Sequence, residues 1–451
     1  MSNRILCGAW LAIAAVTFSV GVRANATHVY AIKGARLVTA AGSPVASGTI
    51  VIRNGLIEAI GADVQPPAEA IVIEGAGLSV YPGLIDMGTS TGIEPNAPAP
   101  PATFRTTEEA ERFRRNAILR PDLEVAGHVR PDAPELVRLA SWGITSVLAT
   151  PAGGVVKGQS ALVNVTAGPD EPQIGSVADT RRGLQVVRTP VALHVDLGGR
   201  GGGGGYPVSL MGAIAFVRQS FLDAQHYQLA KQRYDRLKTG VTRPIHDPAL
   251  DAMQPALAGR LPVAFEADAS REILRALNMA REFKLDPLIT GAREADQVAT
   301  HLKAQNARVI YSLNFPVRSR MLAPDADEPL RELRARAQAP KVPAALEKAG
   351  VTFAFSSSGV REPRDFVRNA ARVVKEGLSA DAALRALTID AARIAGAADR
   401  VGSLEKGKIA NVIVTEGDLF DEKMRIRHAF VDGLSVTIDE LPPQGRGRSG
   451  R

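Results

Sequence analysis

Histidine and carboxylate side chains alternate on two short apolar segments of this chain. The first segment carries His194 and Asp196, and the second carries Glu266 and Asp268. In a strand, side chains two residues apart point to the same face. Paired carboxylates can perform acid–base chemistry or hold a hard cation, and an imidazole adds a transition-metal ligand. Glu266, Asp268 and His194 are therefore the catalytic candidates, and a rebuilt metal site is conceivable if they meet Asp196.

A structural role is the alternative interpretation for each of these side chains. His194 would then be a buried residue that bonds Asp196. Glu266 and Asp268 would bond neighbouring backbone or an arginine such as Arg293. The other six histidines occur mostly in helical or loop-like contexts, where surface or local roles are common. The sequence leaves both interpretations open.

A glycine-containing segment at residues 153–160, GGVVKGQS, also combines polar groups. It does not match the phosphate-binding loop, because its lysine precedes a glycine instead of standing in Gly-Lys-Ser. As a loop beyond the preceding strand, it would carry its side chains to the rim of a ligand site. The alternative is a turn that only packs on the rim. The ligand-binding candidates are Lys157, Gln159, Ser160, Asp196 and Arg293.

Composition and charge limit the class of protein. The chain has 451 residues, of which 45% are hydrophobic and 22% charged, which is typical of a globular protein and not of a disordered or polytopic membrane protein. A single cysteine excludes a disulfide framework and a cysteine-based zinc site. The net charge of +7 lies partly in the chain ends, and no basic stripe with interleaved aromatics occurs. Nucleic-acid binding is therefore disfavoured.

The first 26 residues have the pattern of a secretory signal peptide. Arg4 precedes an apolar run at residues 5–22, and Ala24-Asn25-Ala26 offers a cleavage site. The alternative is a permanent anchor, but the apolar run is short for a membrane span. The mature protein is thus predicted to be periplasmic or secreted, with no stable membrane span. Residues 198–205, nearly all glycine, predict a mobile loop, and residues 441–451 predict a disordered tail.

Short strands at both ends of the mature chain enclose a long α/β region. Residues 27–81 contain several strand-like runs, and Asn54-Gly55 between two of them indicates a hairpin. Strand-like residues return near the C-terminus. Between about residues 82 and 395, helical stretches alternate with short apolar runs. This alternation is typical of a parallel α/β architecture, either a barrel or an open sheet.

The two ends carry motifs of a known family. Residues 34–90 run from GARLVTAAGSPVASGTIVIRNGLIEAIG to VYPGLIDMGTS, and residues 384–433 contain LRALTIDAARIAGAADRVGSLEKGKIANVIVTEGDLF and AFVDG. This pair resembles the amidohydrolase superfamily, in its imidazolonepropionase-like branch, over nearly the whole mature chain. The resemblance implies a (β/α)8 TIM-type barrel at residues 82–395. It also implies a composite β-sandwich built from residues 27–81 and 396–440.

The usual chemistry of that family is metal-assisted hydrolysis of C–N bonds in cyclic or linear amides. Its first metal ligands form an H-x-H pair in the motif PGLIDxHxH, but here Gly88 and Ser90 occupy the two positions, and no H-x-H occurs anywhere in the chain. By the same resemblance, Glu266 stands where a histidine is usual and Thr290 falls near the next histidine. Ser358, or Ser357 under a one-residue slip, replaces the late aspartate. The resemblance therefore implies degenerate metal-ligand positions.

These losses predict an exported pseudoenzyme with no cofactor that acts as a non-hydrolytic ligand-binding or assembly subunit. Its partners would be a small-molecule ligand and either a second copy of itself or an intact amidohydrolase. The alternative is an active hydrolase of amide or cyclic amide C–N bonds. That enzyme would use one divalent metal such as zinc in an atypical site, or a metal-free route through Glu266, Asp268 and His194. Convergence of those side chains at the barrel mouth distinguishes the two hypotheses.

Overall fold

The computed structural model describes most of the chain between its two ends. Residues 1–26 (the predicted signal peptide), 199–205 of the glycine-rich loop, and the predicted tail lie outside the described residues. Within the described part, no helix has both the length and the apolar character needed to cross a membrane. The described ranges are 29–94, 103–130, 133–165, 185–198, 206–319, 321–323 and 325–438.

Five strands form the N-terminal part of the described chain. The predicted hairpin at Asn54-Gly55 is confirmed, because Arg53 pairs with Leu56 and both turn residues have positive φ angles, 52° and 78°. Such φ angles are what a two-residue hairpin turn requires, and Asn-Gly adopts them at little cost. The strands are β1 (Val29–Leu37), β2 (Val45–Arg53), β3 (Leu56–Gly61), β4 (Ile71–Glu74) and β5 (Leu78–Pro82).

Ten further strands form the central region in two sheets, ordered β10-β9-β7-β6 and β15-β14-β13-β12-β11-β8. β6 pairs parallel with β7, and β11 to β15 pair parallel with one another. The strands are β6 (Leu84–Thr89), β7 (Ile144–Ala149), β8 (Val156–Gln159), β9 (Ala161–Asn164), β10 (Val186–Arg188), β11 (Leu193–Asp196), β12 (Val263–Ala267), β13 (Pro287–Gly291), β14 (Arg308–Ser312) and β15 (Phe353–Ser356).

The segment that contains β8 and β9 joins the two sheets. β9 pairs antiparallel with β7, and β8 pairs antiparallel with β11. The expectation that residues 153–160 form a loop over the rim is therefore wrong, because their second half is a strand in the wall. The physical reason is that β7 and β11 each present a row of backbone donors and acceptors that must be paired. The buried side chains of this segment, such as Val156 and Leu162, also fit the wall.

The free edges of the two sheets, β6 and β15, lie against each other. The backbone N–H and hydroxyl of Ser357, just after β15, donate to the carboxylate of Asp86 in β6, with N···O and O···O distances of 2.8 and 2.5 Å. No ladder of backbone hydrogen bonds joins these two strands in the described chain. The central region is therefore a TIM-barrel-like arrangement of parallel strands in which a closed barrel is not detected.

Helices pack on the outer faces of these strands. Strand residues such as Phe265, Tyr311 and Phe355 join the helices in one large apolar core. The alternate strand positions face the interior, where Ala264 and Leu288 belong to a second, separate apolar cluster. The helices are α1 (Thr107–Ile118), α2 (Pro134–Ser141), α3 (Leu210–Leu237), α4 (Pro248–Ala252), α5 (Gln254–Leu257), α6 (Ser270–Phe283), α7 (Ala299–Ala304), α8 (Leu330–Gln338), α9 (Val342–Ala349), α10 (Pro363–Lys375), α11 (Ala380–Leu387) and α12 (Ile389–Ile394).

The C-terminal strands return to the N-terminal ones. These are β16 (Val412–Glu416), β17 (Arg425–Val431) and β18 (Leu434–Val436). β16 pairs antiparallel with β5, which gives one sheet in the order β18-β17-β16-β5-β1-β2-β3, with β4 also paired to β1. Both chain ends therefore build one sheet, as the terminal motifs implied, whereas the sandwich itself stays a prediction.

Candidate functional site

The candidate site lies at the barrel mouth, which we define as the carboxyl ends of the parallel strands β6, β7 and β11–β15. Strand register brings polar residues of three strands to one level there, since Asp196 pairs with Glu266 and Glu266 pairs with Thr290. The residues two positions earlier, such as Ala264 and Leu288, belong to the interior apolar cluster. The mouth therefore has polar walls above an apolar floor, which is the usual composition of a small-molecule site.

Lys157 reaches the mouth because of a β-bulge. His194 pairs with Gly158 but Val195 pairs with Val156, so Lys157 is the extra residue of the bulge. Gly158 permits this conformation, because its φ angle is +128° and a Cβ there would lie 2.6 Å from the Leu123 carbonyl oxygen. The bulge therefore turns the Lys157 side chain toward the mouth, whereas an unbulged strand would keep the regular alternation of side chains.

An ion pair joins Lys157 to Glu266. The lysine Nζ lies 2.6 Å from Oε1 and 2.7 Å from Oε2 of the carboxylate. The lysine side chain is 12% exposed, whereas the glutamate side chain is 39% exposed. Lys157 is thus the more buried partner. Glu266, which stands where the resemblance implies a metal ligand, already binds a cation through both oxygens.

His194 lies deeper in the wall, and no carboxylate of the described residues bonds it. It is 2% exposed, and its Nε2 has no hydrogen-bond partner among the residues that the structure describes. Burial, with a smaller effect of the nearby Lys157 ammonium, lowers the pKa of His194 to about 3. The imidazole is therefore neutral at physiological pH, and so low a pKa makes it a poor general base.

The predicted bond between His194 and Asp196 is not formed. The Oδ1 of Asp196 instead accepts the backbone N–H of Gly198, with a donor–acceptor distance of 2.6 Å. Two residues along a strand are separated by about 6.6 Å, which is too far for a direct bond when one side chain turns away. Among the described residues, the structural interpretation of His194 therefore leaves its Nε2 without a partner.

Asp268 lies at the start of α6 and pairs with Arg293, at 3.3 Å between Oδ2 and a guanidinium nitrogen. Both side chains are more than two-fifths exposed. The adjacent Glu272 accepts the backbone N–H groups of Asp268 and Ala269, as a residue in the first helical turn often does. Asp268 therefore contacts the arginine that its structural interpretation named, and its role as a catalytic candidate stays a prediction.

Gln159 and Ser160 are buried and bond the backbone of neighbouring segments. The Gln159 amide donates to the carbonyl of Pro121 over 2.8 Å. The Ser160 hydroxyl lies 3.4 Å from the carbonyl oxygen of Ala192, to which the Ser160 backbone N–H also donates. Of the three candidates in this segment, only Lys157 directs its polar group to the mouth.

The positions where the family resemblance implies metal ligands do not fit a metal ion. A Cβ on Gly88 would lie 3.2 Å from the hydroxyl of Ser356, so even a small side chain is crowded there. Ser90 and Ser358 are exposed, and the Thr290 hydroxyl lies 3.4 Å from a carbonyl oxygen of the adjacent strand. Across the described ranges, no three His, Cys, Asp or Glu side chains group together as metal ligands. Glu266 is the one anionic group among these positions, and Lys157 binds it.

Asp86 is a polar residue of the mouth that the sequence analysis missed. It is fully buried, and its Oδ1 accepts the N–H groups of Ser357 and Gly88 while its Oδ2 accepts the Ser357 hydroxyl. Burial raises the pKa of Asp86 to about 6, and the hydrogen bonds from Ser357 limit the rise. An aspartate within an otherwise apolar strand, directly before the two altered histidine positions, was the available signal.

A second buried polar cluster lies at the opposite end of the strands. Asn164 accepts the hydroxyl of Ser146 and the amide of Asn411, and donates to Asp432, with distances of 2.7, 2.9 and 2.6 Å. Asn411 in turn accepts the backbone N–H of Asp432 at 2.9 Å. We call these four residues the basal network. It connects the central strands to the C-terminal part of the terminal sheet.

Comparison with known proteins agrees with this architecture. Residues 287–439 match the model of the amidohydrolase family. An amidohydrolase from Thermotoga maritima MSB8 is similar in structure, with 22% identity, a TM-score of 0.71, and coverage of 90% of this chain and 99% of that one. A prolidase complexed with N-methylphosphonate-L-proline has 17% identity, a TM-score of 0.53 and the same coverage. No curated protein sequence matches the chain.

A Xaa-Pro dipeptidase with bound methionine in its active site is also similar, with 16% identity, a TM-score of 0.51, and coverage of 90% of this chain and 99% of that one. Identities this low establish the fold and not the activity. The chain therefore has the fold of the amidohydrolases, as its terminal motifs predicted.

Proposed function

We propose that the chain is an exported member of the amidohydrolase superfamily, of the imidazolonepropionase-like branch, that binds a small molecule without metal-assisted hydrolysis. One observation carries this proposal: the Lys157 ammonium contacts both oxygens of Glu266 at the barrel mouth. A metal ion at this carboxylate would have to displace a cation that the chain itself supplies. No histidine or aspartate stands at the neighbouring family positions to compensate for that loss.

His194 supports a ligand-binding role. A buried polar atom without a partner costs about 1–3 kcal/mol, so a bound group that bonds its Nε2 would recover that cost. Lys157 lies close enough to this imidazole to affect its pKa. A ligand with a carbonyl or carboxylate oxygen matches the ammonium, and a hydrogen-bonding group on the same ligand matches the imidazole.

The experiment that tests this proposal is a zinc titration of the mature protein by calorimetry, followed by elemental analysis after dialysis. We expect no saturable zinc site. About one tightly bound ion per chain would contradict the proposal, because catalytic zinc sites saturate at that ratio.

A ligand screen tests the binding role itself. Linear amides, cyclic amides and carboxylates are screened for those that raise the melting temperature of the wild-type protein. We expect Lys157→Met to abolish such a shift. The matched control is Lys406→Met, which removes the same charge from an exposed position and should leave the shift unchanged. Equal shifts in both variants would contradict a role for Lys157.

The alternative function is hydrolysis of amide or cyclic amide C–N bonds through an atypical site. The observation that favours it is the bond between Ser357 and Asp86, and not the arrangement of Glu266, Asp268 and His194. Turnover of such amides that survives metal chelation would favour this second function. Chelator-sensitive turnover would instead point to the atypical metal site.

Export and assembly rest on the sequence. Cleavage after Ala26 would make Thr27 the first residue of the mature protein, which N-terminal sequencing of the exported chain can test. A homo-oligomer or a complex with an intact amidohydrolase stays a prediction, and the mass in solution would test it.

A further inference from the structure

Ser357 and Asp86 form a hydroxyl–carboxylate pair at the barrel mouth. The two residues are 271 positions apart, and the structure brings the Ser357 Oγ to 2.5 Å from the Asp86 Oδ2. A nucleophile with a base in hydrogen-bond reach is the usual arrangement for acyl transfer. We propose that Ser357 is a nucleophile, with Asp86 as its base, that accepts the acyl group of a carboxylic ester or amide. This inference goes beyond ligand binding, gives the alternative hydrolytic function a nucleophile and a base, and does not depend on Lys157.

Ser357 differs from the serines on either side of it. It is half-buried just after β15, and its hydroxyl donates to a carboxylate. The hydroxyl of Ser356 is buried and accepts the backbone N–H of Ser358 at 3.1 Å. Ser358 is exposed, and no described carboxylate accepts its hydroxyl. Of three consecutive serines, one therefore has the partner that a nucleophile requires.

Asp86 is oriented for this role by its backbone contacts. The N–H groups of Ser357 and Gly88 bond Oδ1, at 2.8 and 3.2 Å, which leaves Oδ2 to the serine hydroxyl. No lysine, arginine or histidine of the described chain forms an ion pair with this carboxylate. A buried carboxylate without a counter-charge is stabilised when it takes a proton, because the charge leaves the low-dielectric surroundings.

Asn314 offers a hydrogen-bond donor beside the same turn. A Cβ on Gly359 would clash with the Nδ2 of Asn314, and Gly359 has a φ angle of +82°, so a glycine is needed where this amide approaches. The Nδ2 has no partner among the described residues. An amide donor in this place can stabilise the oxygen anion that forms when a hydroxyl adds to a carbonyl.

The reaction balances with water as the second substrate. The Ser357 Oγ bonds the acyl carbon while its proton moves to Oδ2 of Asp86. The bond to the leaving oxygen or nitrogen then breaks, and that atom takes the proton from Asp86. In the second half, water attacks the acyl-serine ester and gives its proton to Asp86, which returns a proton to Ser357 as the acid departs.

The test is covalent labelling of the mature protein with a fluorophosphonate, which forms an O–P bond with a nucleophilic serine and releases fluoride. We expect peptide mapping to place the label on Ser357. Ser357→Ala should abolish labelling, and Asp86→Asn should slow it about 100-fold, since general-base catalysis contributes at least that factor. The matched control Ser358→Ala should be labelled at the wild-type rate.

Three results would overturn this inference: no label, a label on another serine, or unchanged labelling of a folded Asp86→Asn variant. If Asp86→Asn does not fold, the label position in the wild-type protein still decides the matter. Labelling of Lys157→Met separates the two proposals. If the two sites act independently, this variant should lose ligand binding and keep wild-type labelling of Ser357. One proposal can then fail in its own experiment while the other stands.

Discussion

Two buried polar clusters occupy opposite ends of the same strands and differ in how completely their atoms are bonded. In the basal network, every buried side-chain nitrogen and oxygen of Ser146, Asn164 and Asn411 has a partner. At the barrel mouth, the Nε2 of the equally buried His194 has none in the described chain. Fully bonded buried groups hold a fold together, whereas an unbonded one needs a separate explanation. The comparison therefore indicates a structural role for the basal network and supports the ligand-binding role that we propose for the mouth.

The positions of the two clusters in the chain agree with this difference. Two members of the basal network, Asn411 and Asp432, come from the C-terminal part of the chain, so the network ties the terminal sheet to the central strands. The mouth cluster instead lies on three neighbouring strands of one sheet, which carry Lys157, His194 and Glu266. Of the Lys157–Glu266 pair, the Glu266 side chain is the more exposed to solvent.

Disruption of the basal network should have the largest effect on stability. Asn164→Ala removes the acceptor of Ser146 and Asn411 and the donor to Asp432, and each buried group left unpaired costs about 1–3 kcal/mol. We expect the free energy of unfolding, measured by urea denaturation, to fall by about 3–5 kcal/mol. A decrease in the free energy of unfolding below about 1 kcal/mol would contradict the structural role of the basal network, because its effect would then equal that expected at the mouth.

His194 should make the protein sensitive to acid. Its folded-state pKa of about 3 lies below its ordinary value of 6.5, so the unfolded chain binds a proton that the folded chain does not. Its contribution to stability is therefore full above pH 6.5 and is lost as the pH falls towards 3. Between pH 7 and pH 4 this loss is about 3 kcal/mol, at 1.36 kcal/mol per unit of pKa shift.

His194→Gln isolates this effect. Asp86 and Asp432 titrate in the opposite sense, since burial raises the pKa of each to about 6 and acid favours their folded forms. Both carboxyl groups remain in the variant, so its stability difference from wild type reports His194 alone. Unfolding curves at several pH values should show that the variant loses less stability in acid. Parallel pH profiles would show that the imidazole is solvated or partnered.

Removal of the cation at the mouth should have the smallest effect on stability. Glu266 is well exposed, and partly exposed ion pairs contribute about 0.2–1 kcal/mol. Lys157→Met should therefore lower the free energy of unfolding by about 1 kcal/mol or less, even where it abolishes ligand binding. A loss as large as that of Asn164→Ala would make Lys157 a structural residue and contradict the comparison.

Much of the fold follows from local patterns in the sequence. The Asn54-Gly55 turn predicts its hairpin because both residues tolerate positive φ angles. The alternation of short apolar runs and helices predicts parallel strands with their carboxyl ends at one edge. Asp196 and Glu266 lie on neighbouring parallel strands, and the strand register places them at one level.

The site could be predicted only in part. Lys157 was expected at the mouth for an incorrect reason, since its segment is a strand and a bulge turns the side chain inward. A bulge depends on the pairing of two strands, and the sequence of one strand does not reveal it. Gln159 and Ser160 belong to the same segment, but their polar groups meet backbone carbonyls of other segments.

Sequence patterns alone were enough to predict the parallel α/β character of the central region and the contribution of both chain ends to one sheet. They also show that no histidine stands where the family resemblance implies the first two metal ligands. These features depend on short motifs and on residue types, which can be identified without knowledge of the fold. The pairs Lys157–Glu266 and Ser357–Asp86 could be seen only in the folded chain, and the fold also chose Arg293 from the partners that the sequence left open for Asp268. The reason is physical, because a polar side chain bonds whatever group the fold brings within about 3 Å, and that group is often hundreds of residues away in the chain.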